Sequence, residues 1–252
     1  TATGAAGGNS GLRIYGNTIQ DVNNGIVVVG PTGAADANTG IDVGGAGGAQ
    51  ANTVSNFGTT GTFSSYANVS GTVNGILVRN SNGSNVSFNS ITSSVGGTTA
   101  GTLNGIQIPG SSSTPTATFT NNINSNNISL QSAAASGAIN GINYPSGSAS
   151  PTSVVNINSN NFYNFGHTVA ASGTITFITH SSTDLTQSIS NNTFTNITVN
   201  TTGSVTFIVN TNTPPANSVK NVNNNQIVTG FTKTGAGGTI LGVVCTEVWP
   251  RA

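Results

Sequence analysis

The chain has 252 residues, only 4% of them charged, with five basic and five acidic side chains and a formal net charge of zero. Soluble globular domains carry roughly 25% charged residues; here Gly, Asn, Ser and Thr take that share. Arg13, Arg79, Lys220, Lys233 and Arg251 are scattered, which excludes the basic footprint of a nucleic-acid binder and the polybasic segment of an anionic-membrane binder.

No run of roughly 18 apolar residues is present, so the sequence holds no membrane-spanning helix. Low charge with high polarity is also the composition of disordered chains, but a regular apolar column argues for order. Val, Ile, Phe and Thr outweigh the helix formers and Met is absent, which favours strands.

Residues 1–9 read as a linker or N-terminal extension. From Ile14 a six-residue frame begins: apolar, two small or polar residues, Asn, one polar residue, apolar. It covers 14–19 with Asn17, 49–54 with Asn52, 86–91 with Asn89 and 123–128 with Asn126. It continues through 157–162 with Asn160, 189–194 with Asn192 and 222–227 with Asn225. The seven starts are 32 to 37 residues apart, and self-similarity at such a period is the signature of a solenoid.

A second column lies between the Asn frames. Gly71-Thr72-Val73-Asn74-Gly75-Ile76 recurs at 101–106 and 137–142, and more loosely at 173–178, 203–208 and 238–243. Asn38-Thr39-Gly40-Ile41 is taken as its first member, which leaves Asn24-Gly25-Ile26 outside the frame and the first coil irregular.

Strand side chains alternate faces. Ile139 and Ile142 are three apart and Ile157 and Phe162 five apart, so each pair shares one core only if the backbone bends between its members. Asn-Gly suits a left-handed bend in the first pair, and Asn160 is the expected bend residue in the second. Three short strands per coil and a bend at each corner describe an all-β fold, a right-handed parallel β-helix of about seven coils, roughly 35 Å long at the ~4.8 Å spacing between strands. Asn17, Asn52, Asn89, Asn126, Asn160, Asn192 and Asn225 would then form an amide ladder at one corner, with each bond contributing on the order of 1 kcal/mol.

The Asn frame and the Asn-Gly-Ile anchors resemble right-handed parallel β-helix repeat proteins, the superfold shared by pectate lyases, tailspikes and bacterial surface adhesins. The Thr/Asn/Ser/Gly-rich composition is most similar to repeat regions of large secreted bacterial surface proteins. The resemblance covers about residues 10–245, taken as a single β-helix domain, and leaves 246–252 as a tail or cap. It implies an extracellular or cell-surface setting, and it speaks to fold more than to activity.

Carbohydrate-active members of this superfold use clustered carboxylates, often with Ca²⁺. The acids here are Asp21, Asp36, Asp42, Asp184 and Glu247. No repeat position arranges a pair at the roughly 5–10 Å separation of a glycosidase, so no catalytic residue and no cofactor are assigned. Asp21, Asp36 and Asp42 are weak Ca²⁺ candidates near the first coil; solvated turn residues are the simpler reading. His167 and His180 lack the third ligand of a zinc site and read as surface or corner residues. Cys245 sits in an apolar run and reads as an inert buried thiol.

The expected function is a non-enzymatic structural or adhesive module. With no charged or helical cover for its strand edges, it should stack end to end as a fibre or continue in a longer chain, with a glycan or surface ligand as a further partner. A carbohydrate-binding or carbohydrate-active β-helix is the alternative. Ice binding is a third reading, from the columns Thr72, Thr102, Ala138, Thr174, Ser204, Thr239 and Asn74, Asn104, Asn140, Thr176, Thr206, Leu241.

Overall fold

The computed structural model describes residues 9–31, 37–58, 71–93, 100–110, 118–145 and 152–247. Asp36, Trp249 and the Pro/Ser-rich stretches 111–115 and 146–151 lie outside the described residues. Strands account for almost all regular structure among these residues, and most of them stack into three parallel sheets of seven strands each, with three two-stranded sheets beside them. Each chain segment passes from the first sheet to the second to the third before returning, so seven strands per sheet make about six turns of a parallel β-solenoid.

The first sheet runs from Arg13–Ile14 to Val219–Asn223, the second from Thr18–Gln20 to Gln226–Ile227, and the third from Ile26–Val29 to Ile240–Glu247. Registers align the apolar columns across coils. In the first sheet Ile123, Ile157, Ile189 and Val222 face one another in turn. In the second, Ile128, Phe162, Phe194 and Ile227 do so, and in the third Ile142, Ile178, Ile208 and Val243. All are buried except at the last coil, so one continuous core runs along the axis. The last strand reaches Glu247, two residues beyond the expected end of the domain.

The first corner, between the first and second sheets, holds the repeated Asn, but Asn is not the bend residue. The residue before it takes the left-handed conformation: Gly16, Phe88, Ser125, Ser159, Asn191 and Asn224 have φ of 64°, 63°, 57°, 58°, 59° and 54°. In the second coil a short 3₁₀ turn, Gly48–Gln50, replaces it. This frees the Asn side chain to point inward, where Asn52, Asn89, Asn160 and Asn192 are fully buried.

Each interior ladder amide then bonds in both directions. Asn160 Nδ2 donates to Asn192 Oδ1 in the next coil (3.0 Å) and to the Ile123 carbonyl in the previous one (2.8 Å). Asn160 Oδ1 accepts from the backbone N–H and Nδ2 of Asn126 at 3.0 and 2.9 Å. The same Nδ2-to-Oδ1 link joins Asn17 to Asn52, Asn52 to Asn89, Asn89 to Asn126 and Asn192 to Asn225. Asx residues do bend the chain at the second corner, where Asp21, Asn56, Asn164 and Asn196 take φ of 59°, 52°, 47° and 52°.

The Asn-Gly anchors also differ from the expectation. Asn24-Gly25-Ile26 is the first member of the column, since Ile26 pairs with Ile76; Asn38–Thr39 instead pairs with Ser81–Asn82 in a small separate sheet. Among the left-handed residues Gly75, Gly105 and Gly141 are absent. They are glycine because there is no room for a side chain: a Cβ on Gly141 would lie 2.4 Å from the Phe177 carbonyl oxygen and 2.5 Å from the Phe162 ring. The neighbouring amides form a second, shorter ladder from Asn140 to Asn104 (2.9 Å) to Asn74 (3.0 Å).

From the fifth coil Phe177 and then Phe207 occupy the glycine position. With Phe162, Phe165, Phe194 and Phe231 they build an aromatic core at centroid separations of 4.6 to 6.3 Å. Stacked and edge-to-face contacts of this kind add about 0.5–1.5 kcal/mol per pair beyond area burial.

Candidate functional site

The main cluster of chemically distinctive side chains lies inside the third corner, where the third sheet returns to the first. Tyr144, His180 and Asn210 occupy one register position at the ends of their strands. Asn121 and Gln187 occupy the facing inward position at the start of first-sheet strands. Ser153 and Asp184 precede those strands. Tyr144, His180, Asp184, Ser153, Asn121, Gln187 and Asn210 are all buried.

Asp184 is the hub. One carboxylate oxygen accepts from Ser153 Oγ at 2.5 Å, and the other lies 3.0 Å from His180 Nε2. On its far side His180 Nδ1 is 3.1 Å from Asn210 Oδ1 and 3.2 Å from Asn212 Nδ2. It can donate to the first or accept from the second, according to its tautomer. Tyr144 stacks on the imidazole at 5.3 Å, and its hydroxyl accepts from Asn121 Nδ2 at 2.7 Å. Burial, assisted by the Asp184 charge and partly offset by the Asn121 bond, pushes the Tyr144 phenol well above its ordinary range, so it stays protonated.

Ser, His and Asp are thus together, but in the wrong order for nucleophilic chemistry. A triad needs the serine hydroxyl on the imidazole and the carboxylate behind it. Here the carboxylate sits between the other two, and the group is sealed from solvent. The arrangement holds a corner together.

Both histidines are buried rather than at the surface. His167 donates from Nδ1 toward the Ala134 carbonyl at 3.1 Å, while its buried Nε2 has no partner among the described residues. Burial pulls its pKa below the ordinary imidazole value, partly countered by that carbonyl. Cys245 is exposed, on the last coil, because nothing stacks on its column there.

Of the three acids named near the first coil, Asp21 and Asp42 lie on described residues and are bonded to different partners. Asp42 accepts from Asn85 Nδ2 (2.7 Å), the Gly45 backbone N–H (3.1 Å) and the Tyr15 hydroxyl. Asp21 is a left-handed residue of the second corner, bonded to Asn56 Nδ2. Among the described residues no group of three His, Cys, Asp or Glu side chains is placed to hold a metal ion. Of the two columns considered for ice binding, Asn74, Asn104 and Thr206 in the second are buried, whereas Thr72, Thr174 and Thr239 in the first are exposed. Lys233 is clasped by the carbonyl oxygens of Thr201, Gly235 and Gly237 at 2.6, 2.6 and 2.7 Å.

The other distinctive feature is the C-terminal end of the core. Ile227, Ile240 and Val243 are about half exposed, at 50%, 51% and 55%. With Phe194, Phe207 and Phe231 they line an open cavity of about 270 Å³.

The sealed corner was readable only in part. Tyr144, His180 and Asn210 each follow the anchor isoleucine by two residues, the same inward parity, and Gln187 and Asn121 precede theirs by two. Polar residues at inward parity were the signal. Compared with protein-family models, curated proteins and solved structures, the chain finds no match.

Proposed function

We propose that the chain is a non-enzymatic scaffold module of an extracellular or cell-surface protein, a stiff spacer whose loops and faces make its contacts. The observation that carries this reading is the Asn ladder, which links all seven coils without a break. A line of amides, its interior members buried and tied to the coils before and after them, resists bending and shear between coils. The reading is supported further by where the reactive side chains lie: the His180–Asp184 pair is wholly buried and available to no substrate.

The test combines a turnover assay with a localisation assay. Incubation with acidic and neutral polysaccharides, with and without Ca²⁺, is expected to release no reducing ends and no unsaturated sugars. Intact source cells are expected to be labelled by an antibody to the chain. Polysaccharide turnover abolished by Asp42→Ala or Asp21→Ala would replace the scaffold reading with a carbohydrate-active one.

A further inference from the structure

Asn-Gly is the dipeptide in which an asparagine side chain lies most open to attack by the main chain, because the residue that supplies the attacking nitrogen has no Cβ to crowd the approach. The chain contains it at Asn24-Gly25, Asn74-Gly75, Asn82-Gly83, Asn104-Gly105 and Asn140-Gly141. Four of these are anchors of the third-sheet column, and their groups are engaged. Asn140 donates Nδ2–H to Asn104 Oδ1 and Asn104 to Asn74 Oδ1, at 2.9 and 3.0 Å. Asn24 Oδ1 accepts from the Asn74 backbone N–H at 2.8 Å, and the Gly25 N–H donates to the Asn74 carbonyl at 3.0 Å. Gly75, Gly105 and Gly141 are buried within the strands Val73–Arg79, Leu103–Gln107 and Ile139–Tyr144.

Asn82-Gly83 differs in each respect. It lies at the third corner, where Asn82 ends the short strand Ser81–Asn82 and Gly83, outside that strand, takes a left-handed φ of 72°. Both residues are half-buried. Among the described residues neither the Asn82 side-chain amide nor the Gly83 N–H makes a hydrogen bond. The backbone on either side is nonetheless fixed. The Asn82 carbonyl accepts from the Gly40 N–H at 3.2 Å, and the Ser84 N–H donates to Asn121 Oδ1 at 2.8 Å. An unengaged nucleophile thus sits beside an unengaged side-chain amide, in reach of water.

We propose that Asn82 is a site of self-modification, at which the chain converts its own amide to an acid with water as the only co-reactant. The Gly83 nitrogen attacks Asn82 Cγ. The N–Cγ bond forms, the Cγ–Nδ2 bond breaks, and the nitrogen's proton departs with the side-chain amine as ammonia, leaving a cyclic imide. Water adds to one or other ring carbonyl and opens the imide to aspartate or isoaspartate at position 82.

The two products differ in consequence. Aspartate keeps the path of the chain and adds one negative charge to a formal net charge of zero. Isoaspartate adds a methylene to the main chain and turns the carbonyl that Gly40 bonds into a free carboxylate. Thr39 pairs with Asn82 in the small sheet at this corner, so the isoaspartate form loosens the first-coil segment Asn38 to Gly40.

The test follows the 252-residue chain over time in mildly alkaline buffer, by anion exchange and by peptide mapping with mass spectrometry. In the folded chain, conversion at Asn82 is expected to run roughly tenfold or more ahead of the other four pairs, which react only through local opening. In urea all five pairs should convert at comparable rates. Asn82→Gln, whose longer side chain would have to close a larger ring, should abolish the early acidic species; the comparison among the five pairs in the unmodified chain needs no variant. Amide exchange at Gly40 should quicken in the isoaspartate fraction and stay unchanged in the aspartate fraction. Conversion at Asn82 no faster than at Asn24 or Asn140 in the folded chain overturns the proposal, as does an early acidic species that survives Asn82→Gln. Unchanged Gly40 exchange in the isoaspartate fraction overturns the loosening. None of these outcomes bears on polysaccharide turnover or localisation, so the modification site stands or falls apart from the scaffold reading.

Discussion

Two corners of this solenoid bury polar side chains, and they do it by opposite means. At the first, one amide is repeated seven times and each copy satisfies the next by translation along the axis. At the third, Tyr144, His180, Asp184, Ser153, Asn121, Gln187, Asn210 and Asn212 form a single irregular network. The difference shows in what is left over. Asn52, Asn89, Asn126 and Asn160 have both side-chain atoms bonded, whereas the third corner leaves Asn210 Nδ2 and Asn212 Oδ1 buried without partners among the described residues. Repetition makes satisfaction automatic, because a contact that works once works at every coil. A custom cluster needs every member's geometry to be right, and a partial fit costs about 1–3 kcal/mol for each unsatisfied group.

The comparison breaks most visibly at its hub. Removing Asp184 by Asp184→Ala strips His180 and Ser153 of their shared acceptor deep in the fold. A loss of about 1–3 kcal/mol is expected for each of the two stranded buried groups, read from the urea midpoint at constant m-value. An unfolding midpoint within error of the unmodified chain would show that the corner contributes nothing net.

In the middle of the ladder, Asn160→Ala removes the bonds to Asn192 and Ile123 and leaves the Asn126 donors without their acceptor. The expected cost is about 2 kcal/mol, with amide exchange quickened in the first-sheet and second-sheet strands on either side of residue 160. Asn17→Ala, at the exposed end of the same ladder, should cost less than about 1 kcal/mol. Equal costs at Asn160 and Asn17 would mean that burial does not set the value of a ladder bond.

The smallest effect is expected at His167. Its imidazole is held below the ordinary value by burial, so the folded chain refuses a proton that the unfolded chain accepts below about pH 6.5. This contribution leaves stability intact above that pH and lowers it as the pH falls through the window beneath. In His167→Gln the acid side of the stability profile should be flatter, with no change near pH 8.

The repeated corner was also the legible one. Seven Asn residues at a fixed place in a six-residue apolar frame announce both the coil period and the ladder, and the apolar columns follow. What misled was backbone detail. The left-handed position precedes the Asn at the first corner and falls on Asp21, Asn56, Asn164 and Asn196 at the second, which composition alone does not separate. Gly75, Gly105 and Gly141 look like turn residues in sequence, yet the requirement they meet is a contact with the next coil's carbonyl and with Ile91, Ile128 or Phe162. The third corner was nearly silent, because its members differ at every coil and only their inward parity joins them. Cys245 read as buried because an apolar run implies a core; at an end coil the same inward-facing residue has no neighbour to cover it.

The two-way bonding of each ladder amide sets a minimum length. Asn160 holds Ile123 behind it and Asn192 ahead of it, so its side chain spans three coils rather than two. Energies in such a stack do not reduce to a sum over adjacent pairs, since removing one coil leaves the amides on both sides short of a partner. The smallest piece in which an interior ladder Asn keeps every bond is three consecutive coils. Loss of order should therefore advance from an end, with each departing coil loosening the one that has just become terminal.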